Sequence, residues 1–232
     1  MLAFRMATVD HRLVRSLMPE RACPMDMEDP RHGHIGIRHR GRLPHWDVEE
    51  GVYFLTFRLR DSLPQSVLAE LDAEREVMRE KCSLDRAELT ATDRRRITEV
   101  FNERVETYLD AGTGACHLAR TDVGRMVLDA LRYFHGSRYR LFACCVMPNH
   151  VHVVTQLHPA WTLEKVLHSW KSFTAKQANR LLGRSGAFWA REYHDRSILD
   201  EDTYVRMVRY TLENPENAGL RDWSLVWGDG EG

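Results

Sequence analysis

Residues 139–157 read YRLFACCVMPNHVHVVTQL. Two apolar runs rich in β-branched and aromatic residues, Tyr139–Val146 and Val151–Leu157, stand on either side of Met147-Pro148-Asn149. Pro and Asn punctuate strands, so the segment predicts an antiparallel pair joined by a short turn. Outward from this hairpin the periods change. On its N-terminal side, Val123, Met126, Val127, Ala130, Leu131 and Phe134 recur at helical spacing within Thr121–Phe134, and Asp122 lies near the start, where a carboxylate suits the helix dipole. On its C-terminal side, Leu163–Leu182 predicts a second helix, closed by Gly183 and rich in Lys and Arg. Val52–Arg60, VYFLTFRLR, and Phe188–Leu199 read as flanking strands. The resulting order, β-α-β-β-α-β, is the ferredoxin-like arrangement of an α+β fold, an antiparallel sheet with helices on one face. A last helix, Asp200–Glu213, carries acidic residues in its first turn and is predicted to stop at Asn214-Pro215.

Two segments interrupt this plan. From about Gln65 to Leu109 the chain lacks Gly and Pro, and Leu68, Leu71 and Val77, then Ile97, Val100, Phe101, Val105 and Leu109, predict two helices with a joint near Cys82–Ala91. This is a helical insertion over about 65–115. Residues 1–43 mix Arg, His, Pro, Gly and Met without a sustained period and read as an N-terminal arm. The main domain is placed at 44–223 and a C-terminal tail at 224–232.

Composition bounds the function. The chain has 232 residues, 43% of them apolar and 29% charged, which excludes collagen-like, disordered and low-complexity classes. No apolar run is long enough to span a bilayer, so no membrane partner is expected. The N-terminal MLAFRMATVDHRLVRSLMPERAC lacks an apolar core followed by a small-residue cleavage site, so no signal peptide is expected. Five scattered cysteines with no C-x-x-C argue against a disulfide framework or structural zinc. Cys144 and Cys145 lie in an apolar run and read as core residues. A reducing, cytoplasmic location fits best. The net charge of −1 conceals an excess of seven positive charges over residues 116–198, the stretch that holds the hairpin. A basic surface beside a chemical site points to a polyanionic substrate.

His150-Val151-His152 is the sharpest chemical feature. Residues i and i+2 of a strand share a face, so two imidazoles stand side by side, in position to grip one metal ion. A bare H-x-H by itself reads better as two polar residues on a half-buried strand, but beside Val151, Val153 and Val154 a free histidine needs a reason. Tyr210 and Asn214, in RMVRYTLENP, are four apart and share a helix face. A tyrosine hydroxyl can act as a nucleophile toward phosphorus. An Asn carbonyl is a hard ligand suited to Mg²⁺ or Mn²⁺. Each residue alone is as readily an ordinary core aromatic or a helix-terminal polar group. His194, in REYHD, could approach the site; His117, His135, His158 and His168 have no partner at ligand spacing.

Taken in order, MPNHVHVV, HSWKSFTAKQANRLLGRSGAFWAREYHD and RYTLENPENAGL resemble the REP-associated tyrosine transposases, members of the HUH-type (His-hydrophobic-His) single-strand DNA transposases. The upstream RLPHWD and VYFLTFRLRDSLP look like the first strand of that family. The resemblance covers roughly residues 41–222. It implies that His150, His152 and Asn214 hold Mg²⁺ or Mn²⁺ and that Tyr210 is the nucleophile. It implies a metal-dependent single-stranded DNA endonuclease and strand transferase that passes through a 5′-phosphotyrosine and acts on hairpin or repeat DNA. It leaves room for a homodimer, since some relatives complete their sites between chains. Single-stranded or hairpin DNA would need a cationic groove with stacking platforms. Lys165, Trp170, Lys171, Lys176, Arg180, Arg184, Arg191 and Arg196 are the candidates, although their spacing does not put all of them on one face. Two other readings compete: a domesticated module that binds structured single-stranded DNA without cleaving it, and a metal-dependent hydrolase that uses the histidines without Tyr210.

Overall fold

The computed structural model describes residues 34–40, 43–48, 51–71, 73, 77 and 104–229. Strand β1 (His34–Arg40) pairs antiparallel with β2 (Leu43–Val48) in a separate two-stranded sheet. The main sheet contains β3 (Val52–Leu59), β4 (Tyr139–Val146), β5 (His150–Leu157), β6 (Trp189–Ile198) and β7 (Val226–Gly228), in the order β6-β3-β5-β4-β7 with every pair antiparallel. Helices α1 (Thr121–Arg132) and α2 (Leu163–Leu181) are the two crossovers, and α3 (Glu201–Asn217) follows β6. The β3-α1-β4-β5-α2-β6 core is the expected ferredoxin-like unit.

The two crossover helices lie on one face, as expected, and α3 covers the other. Alternation along β3 sends Tyr53, Leu55, Phe57 and Leu59 to one face, where they pack in one cluster with Val123, Val127 and Leu131 of α1 and Val166, Leu167 and Trp170 of α2. Val52 and Phe54 point the other way and join Phe142, Ala143 and Val154 under Tyr204, Val205 and Val208 of α3. The sheet is therefore a middle layer. Every residue of β3 is buried, because the strand is internal to the sheet and covered on both sides.

Three local readings change. The arm read at 1–43 contains β1, whose Ile35 and Ile37 alternate over too few residues to register as a period. The segment read as a C-terminal tail contains β7, which pairs with β4 through Ala143↔Gly228 and Cys145↔Val226; three residues are too few for a sequence signal. Helix α3 does not stop before Pro215 but runs through it to Asn217. A proline in the last turn removes one N–H, and the end is closed by Ala218 N–H donating to Asn214 O and Leu220 N–H to Pro215 O. Within the insertion, helical stretches at 65–71 and 104–110 pack through Leu63, Val67 and Leu71 against Val105 and Leu109. The predicted joint near Cys82–Ala91 lies outside the described residues. Cys144 and Cys145 are buried thiols, as read.

Candidate functional site

The site lies on the α3 side of the sheet. His150 and His152 leave β5 on one face, both fully buried, and their Nε2 atoms stand 2.9 Å apart. At such a contact one nitrogen must carry hydrogen or a cation must lie between, since two lone pairs repel. The surroundings fix the tautomer of the first ring. His150 Nδ1 is 2.7 Å from Asn149 Oδ1, a carbonyl that can only accept. The proton therefore sits on Nδ1, and Nε2 presents its lone pair. Asn149 is itself oriented by donating from Nδ2 to Thr113 O at 2.9 Å. On the other ring, His152 Nδ1 lies 2.9 Å from Thr56 Oγ1 on the neighbouring strand, with which it is in register. Hydrogen bonds of this kind fix tautomer and ring angle in metal sites. Burial pushes His152 down to about 3 and His150 well below its ordinary value, so both rings are neutral, the form that ligates.

Helix α3 supplies the other two expected residues. Asp200 caps it, accepting from Thr203 N–H at 2.7 Å, and Val205 and Val208 seat it on the sheet. Tyr210 and Asn214 follow one turn apart on the face that looks at β5. The Tyr210 ring meets His152 edge-on, with centroids 5.3 Å apart, and Phe54 likewise at 5.7 Å. Phe54 stacks on His152 at 5.5 Å. Asn214 is 1% exposed and its Oδ1 has no hydrogen-bond partner.

Two carboxylates complete the cluster, and neither was foreseen. Glu106 and Asp110 are four apart on the 104–110 helical stretch of the insertion. Tyr210 Oη donates to Glu106 Oε2 at 3.2 Å. Asp110 Oδ1 is 3.8 Å from His150 Nε2, and Asn214 is its side-chain neighbour. Burial raises Asp110 above the ordinary carboxylate range, against the lowering effect of Asn214. Burial, then the charges of Glu106 and Asp110, hold the Tyr210 phenol well above its ordinary value. Thirteen acidic residues over 61–115 marked the insertion as charged, but nothing in the sequence separates these two from the rest.

The group fits the expected ion in three respects. Two Nε2 atoms at 2.9 Å match adjacent positions of an octahedral ion with ligands at about 2.1 Å. A buried, unpartnered amide oxygen is present at Asn214, and a half-turn of its planar amide exchanges oxygen for nitrogen at the same place. The donor set of imidazole and hard oxygen suits Mn²⁺ and Mg²⁺. Among the described residues no three His, Cys, Asp or Glu side chains already converge at metal-holding separations.

The remaining candidates are dispersed. Trp170 is corrected: it is 2% exposed, packs in the core beneath the sheet, and donates from Nε1 to Tyr139 Oη at 2.8 Å. Its large apolar ring is worth more buried than displayed. Lys165, Lys176 and Arg180 are exposed on α2, on the face of the sheet away from the histidines. Lys171 ties α2 to β6, donating to Ala190 O at 2.7 Å and Arg191 O at 3.1 Å. Arg184 lies over Phe188 at 5.9 Å. Arg191 is exposed beside a groove of about 350 Å³ between α2 and β6, which Lys171, His168 and Tyr193 also line. Arg196 alone is in register on the histidine face, opposite Phe54. His194 lies opposite Thr56, two strands from His152 and so roughly 10 Å from it along the sheet.

Comparison with known proteins agrees with the sequence reading at the centre of the chain. Residues 128–214 match the family described as transposase IS200 like, a span that contains His150, His152, Tyr210 and Asn214 and excludes Glu106 and Asp110. No curated protein matches. Among solved structures, a REP-associated tyrosine transposase bound to a REP hairpin is 14% identical, with a TM-score of 0.46, over 81% of this chain and 82% of that one. A protein of Deinococcus radiodurans R1 described as a transposase is 16% identical, with a TM-score of 0.29, over 76% and 97%. No described helix is long and apolar enough to cross a membrane.

Proposed function

With residues 128–214 matching the IS200-like transposases, we propose that the chain is a metal-dependent single-stranded DNA endonuclease and strand transferase that acts through a 5′-phosphotyrosine on hairpin or repeat DNA. The observation that carries this is the meeting of the His150 and His152 Nε2 atoms at 2.9 Å beneath the ring of Tyr210. The domain proposed to do this is 44–223, with the insertion at about 65–115.

His150, His152 and Asn214 would hold one Mg²⁺ or Mn²⁺, which would supply Lewis acidity toward a phosphate oxygen. Tyr210 Oη attacks phosphorus, and its proton passes to Glu106 Oε2, the acceptor it already faces. The bond from phosphorus to O3′ breaks, and the departing oxygen takes a proton from solvent to become a free 3′-hydroxyl. The 5′-phosphate remains on Tyr210. In the second step a 3′-hydroxyl attacks that phosphorus and gives up its proton to solvent, and Tyr210 leaves and recovers its proton from Glu106. The phosphodiester bond energy is kept throughout, so no nucleotide cofactor is required. Glu106 and Asp110 disfavour a phenolate while their charges are uncompensated, so Tyr210 rests as the phenol until cation and substrate arrive.

The test is adduct formation on labelled single-stranded hairpins from the DNA flanking the gene, with Mg²⁺ or Mn²⁺. Wild type forms a denaturation-resistant protein–DNA adduct; Tyr210→Phe and His150→Ala/His152→Ala form none. Binding without adduct would replace this reading with a binding module. Cleavage that survives in Tyr210→Phe would assign the attack to water. DNA contacts by Lys165, Lys171, Lys176, Arg180, Arg184, Arg191 and Arg196 belong to the same proposal. Because α2 lies across the sheet from the histidines, DNA reaching both would pass around the β6 edge, where Arg191 and Arg196 stand.

A further inference from the structure

We infer that Asp110 is a further ligand of the ion proposed at His150 and His152, so that the insertion completes the metal site rather than decorating it. This rests on the metal reading above.

Geometry comes first. Asp110 Oδ1 is 3.8 Å from His150 Nε2. Two ligands of one octahedral ion at about 2.1 Å are separated by about 3.0 Å when adjacent and about 4.2 Å when opposite, and the observed distance falls between these. The Asp110 side chain is 37% exposed, free to rotate by the small amount either position needs. The second observation is independent of the carboxylate. Asn214, buried and with an unpartnered Oδ1, is near enough to lower the Asp110 carboxyl, so a free amide oxygen and a carboxylate are neighbours beside His150. The third is charge. Two neutral imidazoles and an amide hold a dication weakly against water, and a hard anionic oxygen is the donor such a site lacks.

The exit of the insertion is built to hold this position. Gly114, at φ +89°, brings its backbone so close to Asp61 that an added Cβ would lie 2.5 Å from Asp61 O. Thr113 donates from its hydroxyl to Ser62 O, and its own carbonyl accepts from the Asn149 side chain that orients His150. Asp110 is therefore fastened, through Ala111, Gly112 and Thr113, to the same asparagine that fixes the first histidine. Glu106 faces Tyr210 instead and is assigned no ligand role.

Calorimetric titration of the metal-free full chain with Mn²⁺ tests this, with thermal melting of each variant as a check on folding. Wild type binds one ion. Asp110→Asn and Asp110→Ala weaken binding tenfold or more with the metal-free melting temperature retained, and the rise in melting temperature that Mn²⁺ gives wild type shrinks in both. Glu106→Gln stays within about twofold of wild type. If His150→Ala/His152→Ala loses Mn²⁺ binding while both Asp110 variants bind as wild type does, the histidine site stands and this inference falls. If the histidine variant also binds as wild type does, or wild type does not bind, the metal reading itself falls and this inference with it.

Discussion

His150 owes its usable lone pair to a neighbour one position away. Asn149 is fully buried, holds the proton of His150 on Nδ1, and is held in turn by Thr113 O. Removing it frees the ring to rotate and to exchange tautomers. Asn149→Ala is therefore expected to weaken Mn²⁺ binding by about tenfold, the usual effect of losing such an outer partner, with the ligands themselves untouched. Titration beside wild type measures it; affinity unchanged within twofold would show that the ring is fixed by packing alone. Thr56 serves His152 from a different strand. As a hydroxyl it can accept from Nδ1–H or donate to Nδ1, so it suits the ring with or without a cation at Nε2.

At the scale of elements, α1 is pressed against the short helical turn before it. Gly124 sits where a Cβ would lie 2.5 Å from Leu118 O and 2.4 Å from Leu225 Cδ1. In an open helix, replacing Gly by Ala gains up to about 1 kcal/mol. Here the backbone carbonyl cannot move aside, so Gly124→Ala is expected to destabilise by about 1–3 kcal/mol. Urea unfolding gives the sign directly, and a stabilised variant would mean that the contact relaxes without cost. Helix α3 illustrates the opposite tolerance. Pro215 costs one hydrogen bond in the last turn, yet the helix continues beyond it, which keeps Asn214 in helical register with Tyr210.

The whole molecule buries two imidazoles between the sheet and α3, and this makes its stability depend on acid. Both histidines are held below their ordinary value by burial, His152 at about 3. In the unfolded chain each titrates near ~6.5. Above that pH both states are neutral and nothing changes. Below it the unfolded chain takes up protons that the folded chain refuses, so stability falls as pH falls, by up to ~1.4 kcal/mol per pH unit for each histidine. Asp110, raised above its ordinary value, acts with the opposite sign. Denaturant midpoints of metal-free protein are therefore expected to drop between pH 6.5 and 5, and His150→Gln/His152→Gln should flatten that slope. An equal slope in the variant would place the acid-sensitive groups elsewhere.

The hairpin at 139–157 and the two crossover helices were legible in the sequence, as was the placing of His150 with His152 on one strand face and of Tyr210 with Asn214 on one helix face. Each is written in local spacing: period two in a strand, four along a helix, Pro and Gly at the breaks. Trp170 was misread because interleaving with lysines says nothing about which way a ring points, and packing against Tyr139 decided that. Strands β1 and β7 were missed because three to seven residues carry too little period. Glu106 and Asp110 lie outside the span that matches the family, in a segment where acidic residues are the rule. Their approach to Tyr210 and His150 arises from distant residues brought together by the packing of Val105 and Leu109 on Leu63, Val67 and Leu71. Local spacing determined which side chains share an element and a face. Only tertiary packing, which joins residues about a hundred positions apart, decided that a sheet covered on both sides would bring two histidines, a tyrosine, an amide and two carboxylates to one place.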